Sequence, residues 1–133
     1  MSIPVTIEAL REAIERQGSV AYLLSAGSDG RPHTVQLTFS WDDSGRLVLH
    51  PGNSTIANVQ ARPLVSLLWP PAEPGGYSLI VDATVVDAVA SGTGANTVSV
   101  QPSKAVLHRP APPDSPKAAT HGSDCVGVFA SPS

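Results

Sequence analysis

A chain of 133 residues and 13.7 kDa suits one domain with one apolar core. Hydrophobic residues make up 41% and charged residues only 14%, which argues against a disordered chain and against a solvated helical bundle. The formal net charge of −3 disfavours a nucleic-acid binder, and the single cysteine, Cys125, rules out an intrachain disulfide framework. No membrane span is expected, since no run of about 18 apolar residues occurs. Glu8 and Glu12 interrupt any apolar N-terminal run, so no signal peptide is expected and the cytoplasm is the expected location. Thirteen prolines and eleven glycines imply many turns, as in a small β-rich fold.

In chain order, the clearest helix runs over Thr6–Gln17. Thr6 can cap it, Glu8 falls in its first turn, and Gly18 stops it. Ile7, Leu10 and Ile14 form its apolar stripe, and Glu12 and Arg16 are spaced as an i,i+4 pair. Val20–Ala26 reads as a strand, followed by the turn Gly27-Ser28-Asp29-Gly30. His33–Trp41 then alternates: Val35, Leu37, Phe39 and Trp41 share one face, and Thr34, Gln36, Thr38 and Ser40 share the other. Asp42-Asp43-Ser44-Gly45 turns the chain into the short strand Arg46–His50.

Pro51-Gly52 ends that strand, and Asn53, Ser54 and Thr55 are side chains able to cap the helix that follows, up to Arg62. Pro63 stops this helix and Leu64–Trp69 resumes an apolar strand. A helix start after such a turn leaves backbone N–H groups open from about Thr55 to Ala57, with partial positive charge from the helix dipole. That suits a phosphate; an ordinary capped surface helix would show the same residues.

Tyr77–Val89 is a long strand with Leu79, Val81, Ala83 and Val85 on one face. Ala90–Ala95 is small and flexible by composition. Thr97–Gln101 and Ala105–His108 read as two short strands broken at Pro102, and Pro110–Pro116 as an extended segment leading to a weakly structured tail with an apolar Val126–Phe129. The expected fold is mainly β: a six-stranded antiparallel split β-barrel with two short helices over residues 1–109, and a Pro-rich extension of the same domain over 110–133.

The succession strand, SDGRPHTVQLTFSW, strand, helix, ARPLVSLLWPP and then GGYSLIVDATVVDA resembles the pyridoxamine 5′-phosphate oxidase-like flavin-binding split barrels over about residues 6–108. The resemblance implies a homodimer with flavin sites at the subunit interface, holding FMN or a deazaflavin coenzyme and acting on a small-molecule substrate. It implies a phosphate loop at Gly52, Asn53, Ser54 and Thr55. His50, beside Pro51, reads either as a contact to a cofactor phosphate or as an ordinary strand-end histidine. A strand along the flavin ring falls at His33, Val35, Gln36 and Thr38, and a polar contact at Ser78.

The chain departs from firm FMN binders of that family in one respect. No Lys or Arg lies between Leu47 and Ala61, where such proteins tend to carry a cation, and Arg62 stands at the far end of its helix. A cation from Arg31, Lys104 or Arg109, or a barrel without catalysis or firm FMN binding, are the alternatives. No acid/base pair or activated nucleophile stands out. His121 and Cys125 offer only two ligands, short of a zinc site. Trp69 reads as core or dimer seam, and Asp82 as an outward-facing strand residue.

Overall fold

The structure, a computed structural model, describes residues 1–92 and 95–111. The readings made for Cys125, His121, the tail beyond residue 111 and the function of the extension lie outside the described residues. The elements are β1 (Ser2–Val5), α1 (Ile7–Gln17), β2 (Val20–Ala26), β3 (Pro32–Trp41), β4 (Leu47–Leu49), α2 (Asn53–Ala61), β5 (Leu64–Trp69), β6 (Ser78–Val89) and β7 (Thr97–His108).

Six strands close an antiparallel barrel in the order β7-β4-β3-β2-β5-β6, with β6 pairing back onto β7. The short strand β4 pairs with the first half of β7, at Val98–Val100. Beyond it β1 takes up the same edge, from Ala105 to His108. Sequence reading did not find β1, because its partners lie about a hundred residues away and no local pattern announces them.

Alternation along the strands sends one set of side chains inward. Ala21, Leu23, Leu47, Leu49, Leu67, Trp69, Leu79, Val81, Val98 and Val100 are buried, and Val35, Leu37, Phe39 and Trp41 pack half-buried against them. Trp69 is fully buried, with Phe39 edge-on at 5.2 Å, so it belongs to the core. Asp82 faces outward and accepts a hydrogen bond from Ser66 Oγ at 2.9 Å.

Pro102 does not break the last strand, as the sequence suggested. It is buried and pairs with Ala83, while Lys104 pairs with Asp82, so Ser103 is an extra residue in a β-bulge. The bulge shifts the alternation: Pro102 and Ala105 both point inward with two exposed residues between them. A proline is tolerated at such a bulge because no regular ladder bond is asked of it there.

Helix α1 packs on β6 and β7 through Leu10, Ala13 and Ile14; Ile7, expected on that stripe, is 43% exposed. Gln17 Nε2, at its end, donates towards the carbonyls of Trp69, Pro70 and Tyr77 and so ties down the β5–β6 loop. Among the described residues no helix is long and apolar enough to cross a membrane.

Candidate cofactor site

Helix α2 begins where β4 leaves the barrel. Its N-cap is Gly52, in extended geometry with φ −76° and ψ 179°, and no side chain caps it. The first bond inside the helix runs from Ile56 N–H to Gly52 O at 3.1 Å. The N–H groups of Asn53, Ser54 and Thr55 therefore lead the helix without intrahelical acceptors. No acidic residue occupies this first turn. Glycine is not demanded by the backbone at position 52, and a Cβ there would meet nothing within 4 Å. The space where a side chain at position 52 would begin is open.

The sequence offers three caps, and the structure diverts two of them. Asn53 Oδ1 accepts a hydrogen bond from Asn96 Nδ2 at 3.0 Å. Thr55 is only 2% exposed and joins Ile56 and Val59 on the buried side of the helix, so it can offer a ligand its backbone N–H and not its hydroxyl. Ser54 is exposed.

Asn96 organises the strand end before this helix. It is 1% exposed. Its Nδ2 also donates to Pro51 O at 3.1 Å, and its Oδ1 accepts from Ser91 N–H at 3.3 Å. Its carbonyl accepts from His50 Nδ1–H at 3.1 Å, since a carbonyl can only accept. Sequence reading missed Asn96, which follows a stretch of small residues with no motif of its own.

The far end of α2 is fixed to β2. Arg62 Nε donates to Ala26 O at 2.7 Å, and Asn58 Nδ2 to Ser25 Oγ at 3.4 Å. Arg62 thus stands roughly 13 Å along the helix from its start. The other basic residues named from sequence stand elsewhere in the chain. Arg31 lies in the β2–β3 turn, 4.0 Å from the Asp29 carboxylate, Lys104 stands on the β7 bulge opposite Asp82, and Arg109 lies over the Tyr77 ring at 4.4 Å.

Strand β3 divides its candidates between two faces. His33 and Val35 are half-buried and face inward, opposite Ser25 and Leu23. Gln36 and Thr38 are exposed on the outer face, where Tyr22 OH donates to Gln36 Oε1 at 3.3 Å. Continuing the β3–β4 register one residue beyond Phe39–Leu49 sets Thr38 against His50. Thr38, His50, Asn53 and Ser54 are thereby brought to one end of the barrel. Ser78 is not: it begins β6, where it pairs with His108 of β7, three strands from β3, or roughly 14 Å.

Two concavities lie away from the α2 start. A groove of about 420 Å³ on the outer sheet face is lined by Leu24, Leu64, Ser66, Asp82 and Ser103, among others. Another of about 370 Å³ lies between the end of α1 and the β5–β6 loop, beside Arg16, Tyr77 and Arg109. Among the described residues no three His, Cys, Asp or Glu side chains gather as a metal site.

No family model matches the sequence. An uncharacterized protein of Mycobacterium bovis is 40% identical over 126 residues, covering 84% of this chain and 86% of its own length, and one of Mycobacterium tuberculosis matches to the same degree. Among solved structures, an FMN-binding protein of Syntrophomonas wolfei superposes with a TM-score of 0.61 at 10% identity, covering 77% of this chain and 86% of that one. A candidate pyridoxamine 5′-phosphate oxidase of Listeria innocua gives 0.60 at 18%, covering 77% and 98%. An F420 reductase gives 0.55 at 18%, covering 65% and 88%. The chain belongs to one family with the two mycobacterial proteins, and its fold is the split β-barrel of the pyridoxamine 5′-phosphate oxidase-like proteins.

Proposed function

We propose that the protein is a homodimer that holds a flavin-type cofactor, FMN or a deazaflavin, and performs redox chemistry on a small molecule. The observation that carries the reading is the start of α2. It is uncapped, approached through a glycine that the backbone does not need, and stands on a fold whose solved neighbours include proteins named for FMN and F420. The residues fit a phosphate by donor count: the N–H groups of Asn53, Ser54 and Thr55 and the Ser54 hydroxyl. The helix dipole adds partial positive charge.

A bound flavin or deazaflavin supplies hydride transfer, and the protein supplies position and electrostatics. Thr38 and Gln36, exposed on the outer face of β3, would orient the ring by hydrogen bonds, with Val35 and His33 shaping the strand from its inner side. Ser78 is too distant to join them within one protomer. A second copy, packed sheet to sheet, would bring its own Ser78 to the site.

The outer face suits such a partner. Tyr22, Leu68, Ile80, Val106 and Pro4 follow one another in register across five strands, an apolar row that continues into the 420 Å³ groove. A barrel without redox activity is the second reading. It is favoured by the lack of any Lys or Arg from Leu47 to Ala61, which leaves a phosphate dianion to neutral donors.

Visible absorption of the purified protein, titrated with FMN and with a deazaflavin, tests the cofactor, and sedimentation tests the assembly. The proposal expects a perturbed flavin spectrum and a dimer at micromolar concentration. A colourless, non-titrating protein would move the assignment to the second reading, and a stable 13.7 kDa monomer would remove the two-subunit site.

A further inference from the structure

The structure assigns to Asn96 the part of a positioning residue that keeps the start of α2 open for an anion. The inference rests on the phosphate reading above. It goes beyond it by naming the device that prevents the helix from capping itself, and that device lies 43 residues away in the chain.

Three observations carry it. First, Asn96 is 1% exposed and spends both sides of its amide on the protein: Oδ1 accepts from Ser91 N–H, and Nδ2 donates to Pro51 O and to Asn53 Oδ1. A buried amide so fully bonded holds one orientation, because turning it would leave polar groups unpaired. Second, the atom it engages on Asn53 is the acceptor that a capping asparagine uses. With that oxygen bound to Asn96, Asn53 adopts helical geometry as the first residue of α2, and the N-cap falls to Gly52, which has no side chain. Third, Asn96 also fixes Pro51 and His50, through its amide and its carbonyl. The β6–β7 connection thus sets the whole turn from His50 to Asn53.

Without the Asn96 amide, the helix can begin one residue later. Asn53 would then be the N-cap, and its Oδ1 would accept from the N–H of Thr55 or Ile56. Those donors would be satisfied internally and would have to be freed before a phosphate could use them.

The test compares FMN with riboflavin, which has the same ring and no phosphate, by fluorescence quenching on the full chain. The quantity read is the ratio of the two affinities. Loss of overall fold lowers both affinities together and leaves the ratio alone, whereas closure of the helix start lowers the ratio. Asn96→Ala should lower it about fivefold, the size of one capping interaction. Adding Asn53→Ala to that variant removes the competing cap and should return the ratio most of the way. Should Asn96→Ala fold poorly, Asn53→Ser breaks the same bond from the exposed side. Its hydroxyl is one atom too short to keep the 3.0 Å contact yet able to cap, and the ratio should fall similarly. A ratio well above one in the unaltered chain that survives both Asn96→Ala and Asn53→Ser overturns the role of Asn96 alone. A ratio near one in the unaltered chain overturns the phosphate reading, and this inference with it.

Discussion

The two helices of this protein begin in opposite ways. α1 is capped by its own sequence: Thr6 Oγ1 accepts from Ala9 N–H at 3.3 Å, and Glu8 places negative charge in the first turn. α2 has glycine at the N-cap, no side-chain bond and no acidic residue in its first turn. The chain can build a cap where stability is all that is needed. At α2 it holds three residues able to cap and sends two of them elsewhere, Asn53 to Asn96 and Thr55 to the core. α1 leans on its buried stripe and its cap together, whereas α2 is anchored at its other end by Arg62 and Asn58. The difference separates a helix start closed by its own side chains from one whose leading N–H groups have no side-chain partner.

The sharpest way to widen the contrast is to change charge at the open start. Ser54→Lys places a cation on an exposed position in the first turn. A hydrogen bond to a charged group is worth about 1.5–3 kcal/mol, so FMN affinity should rise by about one to two decades. Riboflavin should gain little, and added salt should shrink the effect. Thr55, which the sequence suggests equally, is the wrong place, because a lysine there would be buried. Gly52→Asp is the opposite change. The φ of −76° and the free space accept a side chain, and the carboxylate both caps the helix and repels a phosphate. FMN affinity should fall by about a decade while thermal stability rises slightly. Equal effects on FMN and riboflavin in either variant would break the comparison.

The capped start gives the control. Thr6→Ala should cost about 0.5–1 kcal/mol, a few degrees in Tm by differential scanning calorimetry, with no change in the FMN to riboflavin ratio. A fall in that ratio would mean that the two helix starts are not functionally distinct.

The smallest effect concerns a second local cap, in the β3–β4 turn. Asp42 Oδ1 accepts from Arg46 N–H at 3.0 Å and from both the N–H and the hydroxyl of Ser44 at 2.8 Å. These bonds, Arg46 N–H foremost, hold its carboxyl below the usual carboxylate value. A depressed folded-state pKa contributes stability above the unfolded value, and that contribution is lost as pH falls through the folded one. Asp42→Asn should therefore lower Tm slightly at pH 7, by less than Thr6→Ala, and not at all in acid below the folded value. A Tm difference that persists unchanged into acid would assign the effect to something other than this carboxylate.

What the sequence made legible was local. The 10-residue alternation of β3, the cap and stop of α1 and the proline after α2 all act within a few residues, and the structure has them where those signals fall. What it hid was tertiary. β1 exists because His108 and its neighbours offer an edge, Pro102 is tolerated because a bulge absorbs it, and α2 stays uncapped because Asn96 reaches it across the β6–β7 connection. The candidate site was legible as a loop and a strand, but not as two faces of that strand. Nor was the distance to Ser78 legible, which depends on strand order.

The most direct test of the central claim watches the two helix starts at once. Backbone amide resonances of a ¹⁵N-labelled sample would be followed while FMN, inorganic phosphate or riboflavin is added. The account predicts that the N–H signals of Asn53, Ser54 and Thr55 shift downfield with FMN and, at higher concentration, with phosphate. It predicts that they stay nearly still with riboflavin, and that Ile7, Glu8 and Ala9 at the capped start of α1 do not respond to any of the three. Shifts at Asn53–Thr55 that are the same for FMN and riboflavin, or none at all while FMN binds, would contradict it.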